Sequence, residues 1–270
     1  MTSVGIIASS VASGPFTPAS LTGLKVWYDA SNSGSITSSS GAVSQVNDLS
    51  GNGYHATQAT AANKPTTGVA TQNSLNVLRH DGGDWMFMGS GKTEWKFLHD
   101  GTLVLLAAVW NPGAVGSRGL LGNYASEAIV VGTTFYTTSS GTSMTVHASN
   151  GAAIDTVVHH NGSSRIVFSA ANVTTILLDP ANAITTSRSS IALNGGSPTV
   201  VGQTQTGTPS ASNPTRRLMV GALALTDSTA AAYIANTGWW AEIVVAAGAD
   251  ATEANRVLLR DYLNTKWAVY

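Results

Sequence analysis

The longest wholly apolar run in this chain, Leu103 to Trp110, is only eight residues long. That is the length of a buried strand and well short of the ~20 residues a membrane-spanning helix needs. Every other apolar stretch is shorter, and most are closed by turn-forming residues. Asn111-Pro112-Gly113 stops the longest run, and Ser50-Gly51-Asn52-Gly53, His80-Asp81-Gly82-Gly83-Asp84 and Asn194-Gly195-Gly196 punctuate others. Glycine and Asn-Gly pairs supply the positive φ that tight turns require. Many short strands with regular turns predict an all-β chain, a sandwich or jelly roll. Leu103 to Trp110, with no polar alternation, reads as a central strand covered on both faces.

The chain is organised around Leu24 to Gln58. Leu24 to Asp29 is strand-like, a Ser/Gly-rich loop covers Ala30 to Gly41, and Ala42 to Leu49 is a second strand. The Ser50 to Gly53 turn then leads into Tyr54 to Gln58. Further strands are expected at Leu75 to Leu78, Trp85 to Met88, Met144 to His147, Val173 to Leu178, Ser190 to Leu193, Leu218 to Leu225 and Trp239 to Val245. Asn63 to Asn73 reads as a loop. His160-Asn161-Gly162-Ser163 is the strongest hairpin signal, since Asn-Gly favours a type I′ turn. One helix follows the last strand. Asp250 with Glu253 has capping-box spacing, and Ala254, Leu258 and Tyr262 form an apolar stripe expected to dock it. Residues 1–16 read as an extended arm, and residues 17–270 as a single domain.

Composition narrows the function. Charged residues are 10% of the 270, against a typical ~25%. Net charge is −1, which leaves no electrostatic footprint for nucleic acid or an anionic membrane. A near-neutral Ser/Thr/Gly surface suits packing into an assembly, and a homo-oligomer is expected. With no cysteine, disulfides and thiolate metal sites are excluded. The N-terminus lacks a positive flank and does not read as a signal peptide.

Three blocks, in order, carry a family resemblance. They are Phe16-Thr17-Pro18 with Leu24-Lys25-Val26-Trp27-Tyr28-Asp29-Ala30-Ser31; Asp48-Leu49-Ser50-Gly51-Asn52-Gly53-Tyr54-His55-Ala56-Thr57-Gln58; and Trp240-Ala241-Glu242-Ile243-Val244-Val245 with the terminal Thr252 to Trp267. The chain resembles the concanavalin A-like (laminin G-like) jelly-roll domains frequent in bacteriophage virion proteins and bacterial surface proteins. Asn76 to Trp85 is similar to the strand and turn that follow in those domains. The resemblance implies a concanavalin A-like jelly-roll β-sandwich with one C-terminal α-helix. It departs from the family pattern at Arg79-His80, before the Asp-Gly turn, and at the Ala-rich Thr226 to Thr237.

Some proteins of that fold are glycosidases, with carboxylates on alternate positions of one strand so that both flank one glycosidic bond. No two of the 14 acidic residues here are two apart, so an enzyme is not expected. Asp81 and Asp84 around Gly82-Gly83 could offer oxygens to calcium, as could Asp48 and Asn52, although turn chemistry explains both pairs. Otherwise no cofactor is expected. His159 and His160 point to opposite faces of a strand and cannot share a metal. Trp239 and Trp240 also face opposite ways, and the outward one is the best candidate for a contact surface, either subunit or glycan. The leading expectation is a non-enzymatic structural protein on a bacteriophage head or tail. It would decorate the virion surface beside other virion proteins such as the major capsid protein. The alternative is a carbohydrate-binding module contacting host surface glycan.

Overall fold

The computed structural model describes residues 15–123, 130–138, 143–151, 158–159, 166–184, 187–199, 209–226, 229–230 and 236–270. The Asn161-Gly162 hairpin and most of the N-terminal arm lie outside these residues. In chain order the strands are β1 (Leu24–Asp29), β2 (Ile36–Ser39), β3 (Ala42–Val46), β4 (Ala56–Thr57), β5 (Thr71–Gln72), β6 (Leu75–Asn76), β7 (Leu78–Arg79) and β8 (Met86–Met88). They continue as β9 (Val104–Asn111), β10 (Arg118–Gly122), β11 (Val131–Thr137), β12 (Met144–Asn150), β13 (Val158–His159), β14 (Asn172–Leu178), β15 (Ser189–Leu193), β16 (Met219–Val220) and β17 (Trp239–Ala247). Among the described residues there is one α-helix, α1, spanning Glu253–Trp267.

Two sheets form the body. One runs β1-β17-β9-β14-β15, with β7 also paired to β17. The other runs β13-β12-β11-β10-β16-β8-β4-β3-β2. Their facing side chains meet in one core. Leu106, Ala108, Trp110, Trp240 and Ile243 from the first sheet pack with Val46, Ala56, Met88, Val220, Phe135 and Val146 from the second. This is the all-β jelly-roll sandwich the sequence predicts.

Strand β9 explains its own composition. Val104, Leu106, Ala108 and Trp110 face the inter-sheet core, whereas Leu105, Ala107 and Val109 face a second apolar layer under α1. Alternate residues point to opposite sides, so a strand covered on both has no polar position left.

The helix docks differently from expectation. Leu259, Leu263 and Trp267 are buried, whereas Leu258 is 43% exposed. Burying each of the three contributes roughly 1.5–3 kcal/mol. The expected stripe is only half correct, because Tyr262 packs at the margin of this layer. Adjacent leucines offered two stripes, and the one continued by Trp267 buries more area. The cap also moves. Thr252, not Asp250, accepts the Asn255 N–H, while Asp250 accepts from Gly23 N–H and Thr22 Oγ.

A buried polar knot fixes the helix to the sheet. Glu242 is fully buried and accepts from Trp27 Nε1 (2.7 Å), Tyr262 Oη (3.0 Å), Lys266 Nζ (2.8 Å) and Trp267 Nε1 (2.7 Å). Lys266 also pairs with Asp29 at 2.6 Å. A desolvated carboxylate persists only when its lone pairs are met in this way.

Asp48 performs the corresponding service at the start of the chain. Its carboxylate accepts from the Trp27, Ser50 and Tyr54 N–H groups and the Ser50 hydroxyl, tying the glycine turn to β1. Thr71 to Asn76, expected to be partly loop, is a hairpin whose Asn73 and Ser74 take φ of 49° and 63°. A turn without glycine at these positions gave the sequence no clear signal.

Candidate functional site

The larger sheet turns one row of partners to the core and the next away from it. Val46, Ala56 and Met88 point inward, so Thr37, Gln45, Thr57 and Phe87, each in register with the next, point outward. There a cleft of about 490 Å³ is lined by Thr37, Ser44, Gln45, Thr57, Gln58, Ala59, Thr60, Trp85, Phe87 and Arg217. Trp85 and Phe87, two apart, share the outer face and meet edge-on, with centroids 4.8 Å apart at 79°. Trp85 and Phe87 pack with Met219, the register partner of Phe87, and with Ala222 and Ala224. The Arg217 guanidinium sits 3.7 Å from the Phe87 ring centroid and donates to the Gly89 carbonyl at 3.1 Å, which fixes the ring.

The polar wall of this cleft is locked from behind. Gln58 donates to the Trp85 carbonyl at 2.8 Å and accepts the Thr60 N–H at 2.9 Å. Gln45 donates to Asn47 Oδ1 at 2.7 Å. Among the described residues, the Thr37 and Thr57 hydroxyls and Gln45 Oε1 keep their bonding capacity for a ligand.

A second cleft, of about 460 Å³, adjoins the first. It is lined by Ala42, Ala61, Ala62, Lys64, Thr66, Arg79, His80, Asp81 and Asp84. The two share a ridge, because Ala59 and Thr60 face one cleft and Ala61 and Ala62 the other. Asp84 and Trp85 divide in the same way, and the Trp85 N–H bonds the Asn63 carbonyl at 3.0 Å to hold the boundary. Thr66 is bridged to Arg79, and Lys64 lies two residues before Thr66, so both cations are presented to one side.

The acidic turn sits in this second cleft. Asp84 Oδ2 accepts the Asp81 N–H at 3.0 Å, and Asp81 Oδ1 accepts the Gly83 N–H at 2.7 Å. Burial pushes the Asp84 carboxyl up to about 6. His80 is fully buried, with Nδ1 3.0 Å from the Asp84 carbonyl. A carbonyl only accepts, so Nδ1 carries the proton. Nε2 has no partner among the described residues. Burial holds this imidazole neutral, lowering it to about 4. The ring fits because residue 221 is glycine, at φ +84°; a Cβ there would lie 2.3 Å from His80 Cε1.

Asp81 and Asp84, the calcium candidates, thus come together. No group of three or more His, Asp or Glu side chains able to hold a metal exists among the described residues. Asp48 spends its carboxylate on backbone and serine donors, and Asn52 donates to the Leu24 and Lys25 carbonyls. Trp240 is buried in the inter-sheet core, while Trp239 is half-buried against the layer under α1. Sequence reading passed over Phe87, Arg217, Gln45, Lys64 and Arg79. The Trp85-x-Phe87 alternation was a usable signal. Arg217 had none, because only the sheet pairing of β16 with β8 brings it near.

No protein-family profile matches this sequence, and no curated protein is found similar to it. Solved structures share its fold. An arabinofuranosidase complexed with arabinofuranosyl-alpha-1,2-xylobiose is 14% identical, with a TM-score of 0.50 over 81% of this chain and 50% of that one. A Trypanosoma rangeli sialidase in complex with sialic acid is 12% identical, with a TM-score of 0.42 over 90% of this chain and 33% of that one. A Ruminococcus gnavus IT-sialidase CBM40 bound to alpha2,3 sialyllactose is 12% identical, with a TM-score of 0.40 over 58% of this chain and 81% of that one. The chain therefore spans half the length of the arabinofuranosidase.

The protein is an all-β jelly-roll sandwich with one C-terminal helix among the described residues. The expectation that it is not an enzyme is overturned by the arabinofuranosidase likeness, which puts this fold among those that carry enzymes. The spacing test behind that expectation considered only acids two apart on one strand. Asp81 and Asp84 are three apart and meet through a turn.

Proposed function

We propose that this chain is a carbohydrate-binding domain that seats a glycan in the first outer cleft, against the Phe87 ring. The observation that carries the reading is the composition of that wall. A fixed aromatic pair stands beside Thr37, Gln45 and Thr57, uncharged groups suited to sugar hydroxyls. An aromatic face takes the apolar side of a pyranose, and neutral amides and hydroxyls fix its register. The fold likeness to an arabinofuranosidase holding an arabinofuranosyl-xylobiose supports it. Titration calorimetry against an oligosaccharide panel tests it. Phe87→Ala should weaken the bound member about tenfold, and Thr57→Val, which keeps the shape, should weaken it severalfold. Binding unchanged in both variants, or silence across the panel, removes the reading.

A second, hydrolytic reading has its own observation: two carboxyl groups in one adjoining cleft, with the buried Asp84 raised to about 6 and suited to proton donation. Reducing ends released from the same panel and lost in Asp84→Asn would establish it. Display on a virion surface, beside other virion proteins and further copies of this chain, is a proposed setting whose support is confined to the sequence.

A further inference from the structure

The second cleft holds charges of both signs, whereas Arg217 is, among the described residues, the one charged residue lining the first. Lys64 and Arg79 reach it from one side, and neither cation has an ion-pair or side-chain hydrogen-bond partner among the described residues. The Asp81 and Asp84 carboxyls line the same cleft. Buried His80 forms part of the wall, with Nε2 unpartnered. These five are the charged or titratable groups that line the cleft. Two unpaired cations beside acceptor oxygens fit a ligand with one anionic group and several hydroxyls. A simple anion would meet the carboxylates with nothing to offer them, and a neutral sugar would leave both cations unused.

Position matters as much as charge. The ridge of residues 59–62 divides the clefts, so a chain seated in the first that crosses this ridge enters the cleft that Lys64 and Arg79 line. We propose that the ligand is an acidic glycan, with a neutral face on the Phe87 wall and the anionic group of an adjacent sugar held by Lys64 and Arg79. This rests on the glycan-binding reading of the first cleft. The guanidinium fork matches an anionic oxygen pair, and the lysine adds a point charge. Asp81 and Asp84 then accept ring hydroxyls.

The test uses the full chain and a glycan panel in matched sets. Oligomers of galacturonate, glucuronate and mannuronate, and sulfated galactans, are each compared with a carboxyl-reduced or desulfated counterpart. Acidic members should bind at least tenfold more tightly than neutral ones. Which acid class binds identifies the anionic group as carboxylate or sulfate. Lys64→Met with Arg79→Met should abolish the preference and leave Phe87-dependent binding of the neutral member intact. That residual binding also reports that the double variant is folded. Lys25→Met, a charge loss elsewhere, should change nothing. Equal affinity for acidic and neutral members overturns the inference but spares the glycan reading. So does a preference that survives the double variant or falls equally in Lys25→Met. If no glycan binds at all, the underlying reading fails.

Discussion

His80 and Asp84 titrate in opposite senses, and their opposition should be visible in the pH dependence of stability. In the folded chain His80 is lowered from 6.5 to about 4 by burial, and Asp84 is raised from 3.8 to about 6. For His80 the unfolded chain binds more protons across that interval, so its contribution is complete above about 6.5 and is lost as pH falls towards 4. For Asp84 the folded chain binds more, so its contribution is complete below about 3.8 and is lost as pH rises through 6. At ~1.4 kcal/mol per pKa unit each amounts to about 3 kcal/mol. Between about pH 4 and 6 the slopes cancel, and the pair leaves the parent nearly flat. The Asp81 charge raises both groups by less than burial shifts them, so the opposition persists. Asp84→Asn keeps an acceptor for the Asp81 N–H but removes one slope. Relative to the parent, it should lose about 3 kcal/mol as pH falls from 7 to 4. His80→Asn, which keeps a donor towards the Asp84 carbonyl, should gain about as much over the same range. Urea unfolding at half-unit pH steps, with m checked for constancy, measures both, and contributions from other carboxylates cancel in the comparison. Profiles of Asp84→Asn and parent that stay parallel within ~0.5 kcal/mol would refute the argument, and with it the protonatable acid that hydrolysis requires.

Two further predictions concern the helix. Leu259→Ala should cost about 2–5 kcal/mol and Leu258→Ala less than ~0.5 kcal/mol, read as shifts in the urea midpoint; equal costs would mean that the docking face has been misassigned. Glu242→Gln leaves Lys266 with only Asp29 and points an amide donor at other donors, so it should cost about 3–5 kcal/mol and perturb Trp27 and Trp267 fluorescence on unfolding. A loss below ~1 kcal/mol would show that the knot is dispensable.

The architecture was legible where a residue's neighbours in sequence decide its state. Leu103 to Trp110 announces a doubly covered strand because both of its faces are apolar, and the Asp48 turn announces itself through Ser50-Gly51-Asn52-Gly53. The helix face was ambiguous because Leu258 and Leu259 satisfy the same period, and only the sheet beneath decides between them. The site was legible only in its local half. Asp81 and Asp84 share a turn and could be paired by eye. Arg217 meets Phe87 through a strand pairing made far along the chain, and Lys64 joins Arg79 through a bridge at Thr66. Neither juxtaposition leaves a mark in spacing.

The helix also determines which face of the sandwich stays open. The smaller sheet packs one face on the inter-sheet core and gives the other to α1 through Leu259, Leu263 and Trp267. Its central strands β9 and β17 therefore have no side left to offer. The larger sheet has no helix over Thr37, Gln45 and Thr57 among the described residues, Phe87 beside them is only partly covered, by Arg217 and Trp85, and both clefts open along that end of the sheet. Polar residues can stand on a strand there without a burial cost, so the hydroxyls, amides and cations collect on that side. The same alternation that fills the core with Val46, Ala56 and Met88 thus spaces Gln45, Thr57 and Phe87 across the outer face. An outward substitution there should change binding with little effect on stability, whereas an inward one should do the reverse.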